Sequence, residues 1–287
     1  MADESTGSEL TAYEAEQASS ITAWKAEAPS VANQAFGVVM QPAAWLIQRV
    51  VPEVAVRAAI DGASRLGRSL ADSSDVLRDA GVPEISALRD GELEVCDRLA
   101  DGVHNWAIGM AAAEGTATGA LGLLSAPVDI PAIITLALRT IHKVGLCYGY
   151  ASSTEEDETF VRGILAASGA NSMEEKLAAL AALNALRTVL LQQTWRAMGQ
   201  KALQDRLGKE AILVLIRNLG KQVGINVTKR RALAAIPALG AVIGGSVNAW
   251  YIKEVGWAAR RAFQERWLID AGKLGPAPEA NAGEALA

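Results

Sequence analysis

A chain of 287 residues that is 51% hydrophobic but only 5% aromatic can bury a sizeable core, and its wealth of Ala, Leu and Gly favours helices over sheets. The net charge of −5, from 27 Lys and Arg against 32 Asp and Glu, comes without a basic stripe or interleaved aromatics, which argues against a nucleic-acid partner. Two cysteines, Cys96 and Cys147, sit in apolar helical patterns without CxxC partners or histidines at ligand spacing, so neither a disulfide framework nor a metal centre is expected.

Residues 1–8 are small, polar and acidic and read as disordered. No basic region followed by an apolar run opens the chain, so the expectation is no signal peptide and a reducing, cytoplasmic setting. A polar, acidic helix is predicted from Tyr13 to about Ala28. QPAAWLIQRV and VPEVAVRAAIDGASRLGRSLAD read as two helices split at Pro52. In the second, Val56, Ile60, Ala63, Leu66 and Leu70 recur at spacings of three or four, the mark of an amphipathic helix. Glu92 to about Leu124 forms a long helical region that becomes steadily less polar, and a helix from Ile130 to about Tyr148 follows.

Between those two lies S-A-P-V-D-I-P, with Asp129 the first charge after an uncharged run from Gly115 to Val128. Asp is a favoured N-cap and Pro fits a first turn, so Asp129 is read as capping a helix that begins at Ile130, with Pro127 stopping the helix before it. The alternative is a buried carboxylate paired with a cation from another helix, because Arg139 and His142 lie about three turns further along. Ser153 with Glu156, and Ser172 with Glu175, fit capping boxes that open two more helices. A helix from Glu210 to about Gly220 and a last helical region from about Thr228 to Asp270, broken near Pro237, complete a helical domain over residues 9–271. The tail 272–287, GKLGPAPEANAGEALA, reads as disordered.

The run Ala232–Ile252 is 21 residues without a charge, long enough to span a bilayer. Its Ala, Gly and Ser content, with Pro237 and Asn248, makes it only marginally apolar enough. GxxxG spacing occurs at Gly115/Gly119, Gly145/Gly149, Gly220/Gly224 and Gly240/Gly244, where a second backbone can approach closely in lipid or in water. Two close-packed glycine-rich hairpins in a soluble or peripheral protein are preferred to fixed spans or to a reversibly inserting state. Asn248 then reads as a buried amide bonded across a helix interface. Trp250 and Trp257, seven apart, share a helix face and read as core or as an interfacial belt. In the second case Arg230 and Arg231 before them, and Arg260 and Arg261 after them, would supply charge for anionic lipid.

A glycine-rich run, then Asp129 with Pro131, Arg139, and Tyr148 with Gly149 form one pattern. Lys229 to Arg231, Pro237, Gly240, Ala241, Gly244 and the triplet Val247, Asn248, Ala249 form a second. Together, over roughly residues 40–270, they resemble the EcsC family of bacterial helical proteins. That family takes its name from a protein encoded beside an ABC transporter, so the resemblance implies a membrane-related setting. It implies no defined activity.

No G-x-S-x-G elbow or Walker A sequence is present, and His104 and His142 cannot form H-E-x-x-H. Each histidine reads as a helix residue with a satisfied ring nitrogen, although Ser125 or Ser246 could meet His142 in space. The reading is therefore one all-α, multi-helix domain without cofactor. It acts as a non-enzymatic, membrane-associated accessory or interaction protein, cytoplasmic or peripheral at the inner face of the membrane. Expected partners are a membrane surface, a membrane protein, a second copy or an apolar ligand. The ranked rivals are a carrier of a lipid or other apolar ligand and, below it, a serine hydrolase. Asp129, Arg139, Tyr148, Asn248, Gly115, Gly119, Gly240 and Gly244 are the candidate ligand or interaction positions.

Overall fold

The computed structural model describes residues 9–28, 53–119, 126–170 and 237–275, with single helical positions between 173 and 183. Among the described residues every regular element is a helix, and they form one packed domain. In chain order these are α1 (Ala12–Ala26), α2 (Glu53–Ser69), α3 (Ser74–Ala80), a 3₁₀ segment (Ile85–Asp90), α4 (Leu93–Gly119), α5 (Ala126–Cys147), α6 (Glu155–Ser168) and α7 (Pro237–Asp270). QPAAWLIQRV, the Ser172 box, the helix expected over 210–220, and both Arg230 and Arg231 lie outside the described residues.

α4 and α7 share the most extensive contact. On α4 the positions Leu93, Cys96, Asp97, Ala100, His104, Ala107 and Ala111 recur at helical spacing and are buried. α7 answers with Ile252, Val255, Ala258, Ala259, Ala262 and Phe263, also buried. Small side chains on both helices allow close approach, so packing density rather than bulk holds the pair. At Gly256 a Cβ would stand 2.1 Å from the His104 ring, so this site has no room for a side chain. α5 lies against α2, α4 and α7, and α6 packs on α5 and α7.

Local sequence sets the ends of these helices. Thr11 caps α1 in a reciprocal box with Glu14. α5 ends in a Schellman turn: Tyr150 N–H donates to Gly145 O at 2.9 Å, and Gly149 N–H to Leu146 O at 3.0 Å. Gly149 has φ +86° and its missing Cβ leaves space for the Arg89 backbone. Gly145 and Gly149 are therefore not a close-packing pair on one helix face. A second such turn at Gly272 closes α7, and Lys273 beyond it bonds Glu14. Gly272–Gly275, assigned by composition to the tail, thus belong to this cap.

Several boundaries differ from the sequence reading. α5 begins at Ala126, so Asp129 lies inside the first turn instead of capping a helix from Ile130. Pro127 is compatible with a first turn. α7 is described from Pro237, and the residues on which a break before it would rest lie outside the described ones. The box opening α6 is Thr154 with Asp157, one residue beyond Ser153 and Glu156. α2 buries Ser64 and Gly67 against α5, leaving Leu66 and Leu70 exposed, so its apolar stripe is only partly the buried face.

Candidate functional site

Three polar clusters stand out against the Ala-rich core. The first centres on Asp97 of α4. Its Oδ2 accepts from Tyr13 Oη at 2.7 Å, and its Oδ1 accepts from Gln264 Nε2 at 2.7 Å and from the Tyr148 hydroxyl. Asp97, Tyr148 and Gln264 are all buried. Burial pushes the Tyr148 hydroxyl well above its ordinary value, and the Asp97 carboxylate pushes it further; Tyr13 is raised for the same reasons. Both phenols remain donors. The cluster joins α1, α4, the turn that closes α5, and α7.

The second cluster joins α2, α5 and α6. Ser64 Oγ donates to Glu158 Oε2 at 2.5 Å, which leaves its lone pairs to accept from His142 Nε2 at 3.4 Å. Nδ1 of His142 then accepts from Ser152 Oγ at 2.9 Å. Arg68 stands 2.9 Å from Glu158 Oε1. Burial pushes His142 down to about 4, against the charge of Glu158 and with that of Arg68. In a Ser–His–carboxylate relay the imidazole stands between hydroxyl and carboxylate. Here the hydroxyl is spent on the carboxylate and the far ring nitrogen faces a second serine. Ser125 lies outside the described residues, and the side chain of Ser246 is likewise undescribed.

The third is a cleft of about 560 Å³ between α3, α4 and α5. Asp75, Asp79, Arg98, Trp106, Arg139 and Lys143 are among its walls. Lys143 is held by both oxygens of Asp75, at 2.7 and 2.6 Å. Asp79 is paired with Arg78 at 2.9 Å. The Arg139 guanidinium stacks over the Trp106 ring at 4.2 Å, and its Nε donates to Leu70 O at 3.0 Å. Burial pushes Arg139 down from its ordinary value, and Asp75 acts against that shift. Among the described residues neither Arg98 nor Arg139 has a carboxylate within ion-pair distance. Leu66 of α2, Leu70 just beyond its end, and Trp106 and Met110 of α4 are 45–51% exposed.

A model of the EcsC protein family matches residues 15–268. The chain belongs to the EcsC protein family. A relative from Bacillus subtilis (strain 168), named uncharacterized protein YdbA, is 21% identical over 183 residues. That alignment covers 64% of this chain and 62% of the relative, so the chain spans less than two thirds of it. No solved structure matches the chain.

Among the residues of the EcsC-like pattern, Arg139 enters the cleft, Tyr148 bonds Asp97, and Gly149 makes the Schellman turn. The motif therefore divides between different clusters. Asn248 is buried in α7. Gly115 and Gly119 both lie in α4, and Gly240 and Gly244 in α7, but their surroundings are outside the described residues, as is the Asp129 side chain.

Of the proposed membrane contacts, Arg260 is buried and pairs with Asp101, while Arg261 donates to Gln17 and Gln264 at 2.9 and 2.8 Å. Trp257 meets the His104 ring edge-on at 5.6 Å and lies under both arginines. Trp250 is partly buried. Arg260 and Arg261 are thus engaged within the helix packing, and the exposed aromatic on this framework is Trp106.

His104 Nε2 lies 3.0 Å from Lys253 O and donates to it, the satisfied helix histidine expected. Cys96, whose thiol burial pushes up to about 12, and Cys147 are core residues. Among the described residues no three His, Cys, Asp or Glu side chains group as a metal site.

The sequence reading missed Asp97, Ser64, Glu158, Arg98, Trp106 and Lys143. Asp97 had a signal: it stands at a core-facing register between Leu93, Cys96 and Ala100. The cleft was signalled only by Arg139 of the EcsC-like pattern, because Arg98 and Trp106 reach it from a separate helix.

Proposed function

We propose that this EcsC protein is a non-enzymatic, membrane-associated interaction protein that meets an anionic bilayer through the face around Arg139. The observation that carries the reading is the Arg139 guanidinium, which has no carboxylate partner among the described residues and lies on the exposed Trp106 ring. Leu66 lies in the last turn of α2 with Leu70 just beyond its end, and Trp106 and Met110 stand one turn apart on α4, all four exposed. Arg139 ties the two pairs together through Leu70 O and the Trp106 ring. Large exposed apolar residues beside cations suit the headgroup region, where amphipathic rings settle and anionic lipids attract arginine. Among the described residues no helix is long and apolar enough to cross a membrane, which favours shallow contact.

The test is co-sedimentation of the full chain with vesicles of phosphatidylglycerol and phosphatidylcholine, against phosphatidylcholine alone. Binding is expected on the anionic vesicles and should fall as salt rises, since screening shortens to about 10 Å at 0.1 M. Trp106→Ser should weaken it. Equal binding to both vesicles, or none at low salt, overturns the reading.

A further inference from the structure

We infer that the cleft between α3, α4 and α5 binds a phosphate ester, with Arg98 and Arg139 as its charge partners and Trp106 as the wall beside the ester's organic part. The inference rests on the membrane reading for the source of that ester, a phospholipid headgroup, but not for the chemistry of the site.

The charges in the cleft do not cancel. Lys143 is neutralised by Asp75, and Asp79 by Arg78 outside the lining. That leaves two guanidinium groups on one cavity with no ion pair to an acid among the described residues. A guanidinium presents five donors. Arg139 spends one of them on Leu70 O and lays its face on Trp106, and the remaining donors have no partner among the described residues. Arg98, exposed on α4, spends none.

Arg139, partly buried, is costly to leave with unmatched donors, and stacking on Trp106 fixes the plane in which they point. Arg98, exposed at the same cavity, adds a second fork, and two forks match the several oxygens of a phosphate better than the two of one carboxylate. At about 560 Å³ the cleft also exceeds what a bare anion needs and lies within the range of organic-ligand pockets. Its lining includes the exposed Trp106, from which Met110 continues along α4, and Arg139, which is bonded to Leu70 O. A headgroup held in the cleft can therefore leave its acyl chains beside apolar surface. Asp75 and Asp79 also line the cavity and disfavour any ligand that places its charge at the α3 end.

The experiment uses the full chain with two probes: sn-glycerol 3-phosphate followed by calorimetry, and vesicles containing phosphatidylglycerol followed by co-sedimentation. Arg98→Gln is the main variant, because Arg98 is exposed and its loss leaves the fold intact. Arg78→Gln is the control, removing the same charge from α3 outside the lining. Arg98→Gln should weaken both probes about fivefold, as expected for one arginine at an anionic surface. Arg78→Gln should change them less than about twofold. Addition of Arg139→Gln, checked by circular dichroism for retained helix, should weaken them further.

Equal effects of Arg98→Gln and Arg78→Gln overturn the cleft and leave the membrane reading standing. So does vesicle binding that ignores Arg98 with no glycerol phosphate binding. Arg98-dependent binding of glycerol phosphate without vesicle binding supports the cleft, names a soluble ester as its ligand, and overturns the membrane reading. Binding of neither probe overturns both.

Discussion

Asp97 is the acceptor that four helices share, and its removal should cost more than the loss of any one donor. Asp97→Ala leaves the Tyr148 hydroxyl and one N–H of Gln264 buried without an acceptor, Gln17 keeping the other, and strands Tyr13 beside them. Each orphaned donor costs about 1–3 kcal/mol, so a loss of about 3 kcal/mol or more is expected in urea unfolding. Tyr148→Phe leaves Asp97 with two donors and should cost about 2 kcal/mol. Equal losses would show that the other donors find water instead. His142 gives a different signature. Its folded value of about 4 lies below the ordinary 6.5, so the unfolded chain binds more protons between those limits. Stability should therefore fall as pH drops through that window, by about 2 kcal/mol for this group between pH 7 and pH 5. His104, also lowered by burial, adds to the same trend. His142→Gln should flatten the pH dependence of the urea midpoint, and an unchanged slope would move the effect elsewhere.

Between helices the decisive quantity is how closely backbones approach. Gly256→Ala places a methyl group against the His104 ring and should destabilise α7 on α4 despite the better helix propensity of alanine. Gly109→Ala, on the exposed side of α4 with nothing within 4 Å, should instead stabilise by up to about 1 kcal/mol. Melting temperatures moving in opposite directions would confirm the contrast; a common direction would refute it. The helices themselves were legible, because apolar period and capping chemistry are local. What failed depended on partners distant in sequence. Ser153 and Thr154 both have an acid three residues on, and Arg266 of α7 pairs with Asp157, the acid that belongs to Thr154. α2 has an apolar stripe, yet Ser64 and Gly67 meet α5 because only a small residue fits against the Arg139 backbone. Trp257, Arg260 and Arg261 look alike in sequence whether they face lipid or a neighbouring helix. Asp101, Gln17 and His104, far away in the chain, decide it.

On the scale of the whole molecule, α1 is fastened by polar contacts more than by apolar burial, with Ile21 its only fully buried apolar side chain. Lys25 pairs with Glu265 at 2.5 Å, and Glu14 with Lys273 at 2.6 Å. Lys176 adds bonds to Trp24 O and Glu27 O, both at 2.5 Å. Salt screens partly buried ion pairs such as these less than exposed ones, but it leaves packed apolar cores untouched. Hydrogen exchange in α1 should therefore accelerate at high salt before that of α4 or α7. Uniform acceleration would show that α1 is bound as firmly as the core. The Glu14–Lys273 pair also joins the first described helix to the last described turn, so the two margins of the domain depend on each other. Trimming the chain after Asp270 would loosen a helix at the opposite end of the sequence. Tension applied between the two margins would load that clasp first, and α1 would peel away before the α4–α7 pair felt the pull.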